Sequence, residues 1–286
     1  MNARTDPAIL AAPKVYFATM PSGIRVPYVT SGSGAPLLFV HGSLCDYRYW
    51  NSQTGALSRH FQCVSVSLGH YWPGEDAAVQ GEFSWKRHVD ELAEFIGAMN
   101  VGPVHLVGHS RGGCVAFQLA RAYPDLVRTL TLADPGGPLE VDGATQAALP
   151  PATEALRANV AGLIERGAIE AGLELFVDSV SMPGIWRRSS PGFRMMATDN
   201  AATLPKQFRD PLPAYTQAAA SEVRCPTLLI AGEKSPRMYR DNVDQLAQWI
   251  ANAQQQVVPD ASHGMNVTHA GTFNRLLQAF AGEGPA

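Results

Sequence analysis

Residues 104–120, VHLVGHSRGGCVAFQLA, run an apolar stretch into a helical pattern with only Gly-His-Ser-Arg-Gly-Gly between them. A strand that becomes a helix in so few residues is most simply one arm of a βαβ crossover. Its strand is buried on both faces and its helix packs back on a parallel sheet. The same alternation continues on both sides. "KVYFAT" and "IRVPYVT" flank the turn "MPSG" and predict an antiparallel hairpin at a sheet edge. "APLLFV" and "FQCVSVSL" predict further strands, and "VRTLTLAD" another. Between them Trp85, Val89, Leu92, Phe95, Ile96 and Met99 fall at helical spacing, with Ser84 placed as N-cap.

From Gly137 to Ser221 the alternation stops. "ATEALRANVAGLIERGAIEAGLELFVDSV" reads as helix and "MPGIWRRSSPGFRMM" as a loop-rich joint. The alternation then resumes with "PTLLIAGE" (strand), "DNVDQLAQWIANA" (helix), "QQQVVPD" (strand) and "TFNRLLQAFAGE" (helix). The expected fold is α/β, a mostly parallel doubly wound sheet with a helical lid inserted between two strands. Residues 1–136 and 222–286 form the expected core and residues 137–221 the lid.

Composition excludes several function classes. The 286 residues are 46% hydrophobic and 16% charged, with a formal net charge of −3. No Lys/Arg stripe marks a nucleic-acid partner. The start, "MNARTDPAILAAPKVYF", lacks the apolar stretch of a leader, and no run reaches the ~20 apolar residues a bilayer span needs. Cys45, Cys63, Cys114 and Cys225 have no C-x-x-C spacing and read as free thiols in a reducing compartment, so the expected location is cytoplasmic with no membrane partner. His105 and His109 are four apart but on a strand and a turn, which is not a zinc-site pattern. "GSG" at residues 32–34 lacks the third glycine of a dinucleotide fingerprint. No metal or cofactor is expected, and the pattern specifies no oligomeric state.

Gly108-His109-Ser110-Arg111-Gly112 has the form G-x-S-x-G between a strand and a helix, the nucleophile elbow. Small residues flank the serine because strand and helix must approach closely there. The turn exposes the hydroxyl and brings unpaired helix N–H groups beside it. With this motif the chain resembles the α/β-hydrolase superfamily, and the resemblance extends from the hairpin to the last helix. It implies an oxyanion loop in "FVHGSLCDYRYW", where the amides of Ser43 and Arg111 are the donors. His41 is read as structural, and Asp46, Arg48 and Trp50 as loop anchors. It implies a catalytic base at His263 of "PDASHGM", after the last strand. The acid departs from the common pattern: in Gly232-Glu233-Lys234-Ser235-Pro236 a serine stands where the family usually keeps Asp. Asp134, at the end of "VRTLTLAD", is the preferred acid and Glu233 the alternative. Certain haloalkane dehalogenases carry their acid at the position of Asp134.

A serine nucleophile rather than an aspartate implies a serine hydrolase acting on a carboxylic ester, lactone or thioester, and the apolar bias of the lid suggests a small-molecule substrate with a small to medium hydrophobic acyl or alcohol part. Cys45, Tyr71, Trp72 and Trp186 are candidates for the pocket wall; Phe176, Met182, Phe193, Met195 and Met196 are further lid candidates, read mainly as lid core. Three rivals use the same residues: a carbon–carbon bond hydrolase of ring-fission products, a cofactor-free perhydrolase, and a slow-turnover ligand-binding module.

Overall fold

The computed structural model describes residues 13–74, 81–141, 144–145 and 150–282. The start expected to lack a leader (residues 1–12), the end of "SLGHYWPGED" (residues 75–76) and residues 142–143 and 146–149 of the expected lid lie outside the described residues.

The chain begins with the edge hairpin, β1 (Tyr16–Thr19) and β2 (Arg25–Ser31), followed by β3 (Pro36–Val40). Helix α1 (Asn51–Leu57), β4 (Gln62–Val66), α2 (Trp85–Met99), β5 (Val104–His109), α3 (Arg111–Ala122) and β6 (Val127–Ala133) continue the alternation. An insertion follows. It opens with a two-stranded ribbon, β7 (Glu140–Val141) and β8 (Ala144–Thr145). Six helices come next: α4 (Pro151–Glu165), α5 (Ile169–Val180), α6 (Ile185–Arg188), α7 (Pro191–Asp199), α8 (Thr203–Arg209) and α9 (Gln217–Ser221). The alternation ends with β9 (Thr227–Gly232), α10 (Arg237–Trp249), β10 (Ala253–Val258), α11 (Met265–Thr268) and α12 (Ala270–Gly282).

The principal sheet has eight strands in the order β1-β2-β4-β3-β5-β6-β9-β10. The β1–β2 and β2–β4 pairs are antiparallel and the others parallel. Alternation along β3 explains the two apolar layers. Leu38 and Val40 face the cluster that includes Val89 and Leu92 of α2 and Val115 of α3, while Leu37 and Phe39 face Trp50, Phe273 and Leu277. Helix α2 keeps its expected register. Ser84 Oγ accepts from the Lys86 N–H at 3.2 Å, and Val89, Leu92, Phe95 and Ile96 are buried. The outermost strand β10 carries exposed Gln254, Gln255 and Gln256, a polar edge that discourages pairing with another chain.

Three expectations for the insertion need correction. The single helical stretch is broken at Gly167, whose φ of 82° ends α4 and lets α5 fold back. The expected loop-rich joint forms α6 and α7. Ser190 caps α7 by accepting from the Phe193 N–H, and Pro191 fits the first turn. The ribbon β7–β8 also falls where no strand is expected; its two-residue strands are too short to leave a periodic signal.

Candidate active site

The segments with chemical potential leave the carboxyl ends of neighbouring parallel strands: Ser43 after β3, Ser110 after β5, Asp134 after β6 and His263 beyond β10. Open α/β sheets bind ligands at this rim.

Ser110 sits at φ 53°, ψ −123°, and Asp134 at φ 42°. A side-chain-bearing residue in such a conformation costs on the order of 1–3 kcal/mol and persists only where its surroundings hold it. The Ser110 N–H donates to the Ala133 carbonyl at 3.1 Å, and the Gly136 N–H donates to the Ser110 carbonyl at 2.9 Å. The loop after β3 presses on the elbow from the other side. A Cβ on Gly112 would collide with the His41 carbonyl oxygen, and one on Gly42 would lie 2.9 Å from the Ser110 Cβ. Glycine at both positions is what lets the loop and the serine approach.

Asp134 is fully buried. Its Oδ2 accepts from His263 Nδ1 at 3.0 Å and from Ser235 Oγ at 2.5 Å, while Oδ1 accepts from the Gly232 N–H at 3.3 Å. Nδ1 therefore carries the proton on the Asp134 side, which leaves Nε2 of a neutral His263 as the basic nitrogen. Ser235, the residue in place of the usual aspartate, is thus a donor to the carboxylate rather than a vacancy. Glu233 is exposed and accepts from the Asp260 N–H at 2.8 Å.

Two rings hold the imidazole. Tyr239 stacks on it, with centroids 3.9 Å apart and planes at 19°. His109 lies at 4.5 Å, and its Nε2–H donates to the His263 carbonyl at 2.7 Å. Burial holds the His109 pKa well below the ordinary value, so it is a neutral strut. Burial likewise pushes the Tyr239 phenol up, so it keeps its proton near neutral pH.

Among the described residues, neither the Ser43 nor the Arg111 N–H has a backbone acceptor. Arg111 follows Ser110 directly, and Ser43 follows Gly42, which packs against the Ser110 Cβ. Their loop is stapled by His41, which donates from Nδ1 to the Gly42 carbonyl (2.8 Å) and accepts at Nε2 from the Leu68 N–H (3.1 Å). Burial lowers His41 to a pKa of about 4 and keeps it neutral. The helical insertion reaches the same groups. Ser43 Oγ donates to Gln207 at 2.6 Å, and the buried Arg111 guanidinium pairs with Asp210, which also accepts from the Trp85 N–H at 2.7 Å.

The four candidate wall residues lie in different surroundings. Cys45 is buried in the cluster with Tyr49, Trp50 and Met196, and burial raises its thiol pKa. Tyr71 packs edge-on against His41 at 4.6 Å. Trp72 is 38% exposed beneath the Arg48 guanidinium. Trp186 lies in the insertion's own core with Val160, Ile164 and Leu173. A cavity of about 430 Å³ is bounded by His70, Phe83, Ser84, Lys206 and Asp210, the last of which pairs with Arg111. Sequence reasoning missed Ser235, Tyr239 and His109. The first two leave no motif; His109 is visible inside G-H-S-R-G, but its role depends on a loop 154 residues away.

A family model described as "Alpha/beta hydrolase family" matches residues 37–276. The chain belongs to the alpha/beta hydrolase family. It is 24% identical over 266 residues, 88% of this chain and 92% of the relative, to an (E)-2-((N-methylformamido)methylene)succinate hydrolase of Acinetobacter baylyi. It is 25% identical over 285 residues, 96% of each chain, to a 2-hydroxymuconate semialdehyde hydrolase of a Pseudomonas species. In fold it is similar to an esterase of Exiguobacterium antarcticum, with a TM-score of 0.81 at 17% identity over 94% of this chain and 100% of that one. This hydrolase has no described helix long and apolar enough to cross a membrane. Among its described residues no cluster of three or more His, Cys, Asp or Glu could hold a metal ion.

Proposed function

We propose that this hydrolase cleaves a carboxylic ester, lactone or thioester through an acyl-enzyme, with Ser110 as nucleophile, His263 as base and Asp134 as its orienting acid. The observation that carries the reading is the buried Asp134–His263 hydrogen bond beside a serine held in a strained turn. Rotation about the Ser110 Cα–Cβ bond brings Oγ to His263 Nε2. Nε2 accepts the hydroxyl proton as Oγ bonds to the substrate carbonyl carbon. The carbonyl oxygen becomes an oxyanion between the Ser43 and Arg111 amides, each worth about 3 kcal/mol in such a site. His263 then passes its proton to the leaving alcohol or thiol. A water, deprotonated by the same nitrogen, releases the acyl group and restores Ser110. The helical insertion serves as the lid, since Gln207 and Asp210 bring it onto the oxyanion loop and the elbow.

The relative named as a 2-hydroxymuconate semialdehyde hydrolase favours a second reading, carbon–carbon cleavage of a ring-fission product by the same residues. One experiment separates them: turnover of 4-nitrophenyl esters of graded acyl length and of a ring-fission product, by wild type and Ser110→Ala. Ester turnover abolished in the variant upholds the first reading. Turnover confined to the ring-fission product upholds the second. Turnover of neither leaves a ligand-binding module.

A further inference from the structure

The turn between β9 and α10 delivers two groups to the Asp134–His263 pair. Ser235 Oγ donates to Asp134, and Tyr239, four residues on, lays its ring against the imidazole. Backbone bonds hold this turn. The Ser235 N–H donates to the Gly232 carbonyl at 3.0 Å, and the Tyr239 N–H donates to the Pro236 carbonyl at 3.0 Å. Arg240 Nε–H donates to the Ser235 carbonyl, also at 3.0 Å. Asp134 meets the imidazole at its edge, through Nδ1. Tyr239 meets it at its face, with centroids 3.9 Å apart and planes at 19°. Both residues are buried, Tyr239 at 4% exposure and His263 at 7%. A proton taken up by Nε2 therefore creates a cation where water has little access. The face of an aromatic ring carries negative potential and attracts a cation within about 6 Å of its centroid, most strongly when both are desolvated. The second ring against the imidazole, His109, lies at 4.5 Å and 40°. Its burial keeps it neutral, so it sets no opposing charge beside that cation.

We propose that Tyr239 is a positioning residue whose ring face stabilises the His263 imidazolium formed as Ser110 attacks. The proposal rests on the serine-hydrolase reading and adds to it a second stabiliser of the base, set on the ring face where Asp134 is set on the ring edge. The imidazolium exists only on the way into and out of the acyl-enzyme. An interaction made only there raises kcat and leaves substrate binding unchanged. The turn in which Ser235 stands in place of the usual aspartate thus supports the pair from two directions. Its hydroxyl serves the carboxylate and its ring serves the imidazole.

Truncating Tyr239 would leave a void and confuse packing with electrostatics, so the test keeps the ring and changes only its charge distribution. Tyr239→Phe is the reference. Phenylalanines carrying one, two and three ring fluorines are then placed at position 239 by nonsense suppression. Fluorine draws negative potential from the ring face with little change in shape. Hydrolysis of a 4-nitrophenyl ester is measured for each protein, with Tm as the check on packing. kcat should fall with every added fluorine, by about 30-fold across the series, while KM and Tm stay level. A flat kcat, a loss confined to KM, or a loss that follows a falling Tm overturns the proposal and leaves the serine hydrolase intact, provided that Ser110→Ala is inactive. Hydrolysis that survives Ser110→Ala, or a wild type that does not hydrolyse the ester, overturns the serine reading and the role of Tyr239 with it.

Discussion

Asp134 carries a buried negative charge with donors on three sides, His263, Ser235 and the Gly232 amide. Its role makes a sharp comparison possible. Asp134→Asn should lower kcat for ester hydrolysis by about 10⁴-fold, the scale on which losing a triad acid acts elsewhere. Glu233→Gln should stay near wild type, because that side chain is exposed and bonded to the Asp260 amide. Ser235→Ala removes a hydrogen bond to a charged group, worth about 1.5–3 kcal/mol, and should cost roughly ten-fold or more in kcat. Steady-state kinetics on one chromogenic ester checks all three. That Ser110, Asp134 and His263 follow strand ends is legible in the sequence, and the family resemblance is what points to them as the proposed triad. Ser235 and Tyr239 are not legible there. A serine in place of an aspartate reads as a loss until Asp134 is seen to arrive from the neighbouring strand, and a tyrosine inside a helical pattern looks like any other core residue.

The elbow and its facing loop behave as one element. Gly112→Ala forces a Cβ into the His41 carbonyl oxygen, so the variant should fail to fold or lose most of its thermal stability, measured by circular dichroism. The insertion is fastened through Arg111 and Asp210, whose side chains are 6% and 17% exposed. Asp210→Ala strands the guanidinium and should destabilise the protein by about 3 kcal/mol in urea unfolding. Element boundaries were readable where a period and a cap coincide, as in α2 behind Ser84. They were lost in α6 and α7, where four to nine residues give too few turns to show a period.

For the molecule as a whole, buried histidines set the response to acid. Burial lowers His41 and His105 from 6.5 to about 4, and His88 and His109 well below 6.5. Between pH 6.5 and about 4 the unfolded chain binds protons that the folded chain refuses, so stability is complete above 6.5 and is lost as pH falls. Glu91 acts in the opposite sense. Burial raises it from 4.5 to about 7, so its contribution is present below 4.5 and fades as pH rises through 7. Four groups outweigh one, and urea midpoints should decline from pH 7 to pH 4.5. At this scale the alternation of strands and helices was legible, including the interruption. Strand order was not, because β4 lying between β2 and β3 is fixed by pairing between distant segments. The most direct test of the whole account is covalent labelling with a fluorophosphonate, followed by mass mapping of the modified peptide. The account predicts rapid labelling at Ser110, much slower labelling in Asp134→Asn and none in Ser110→Ala. A label on another residue, or a wild type that does not react, would contradict it.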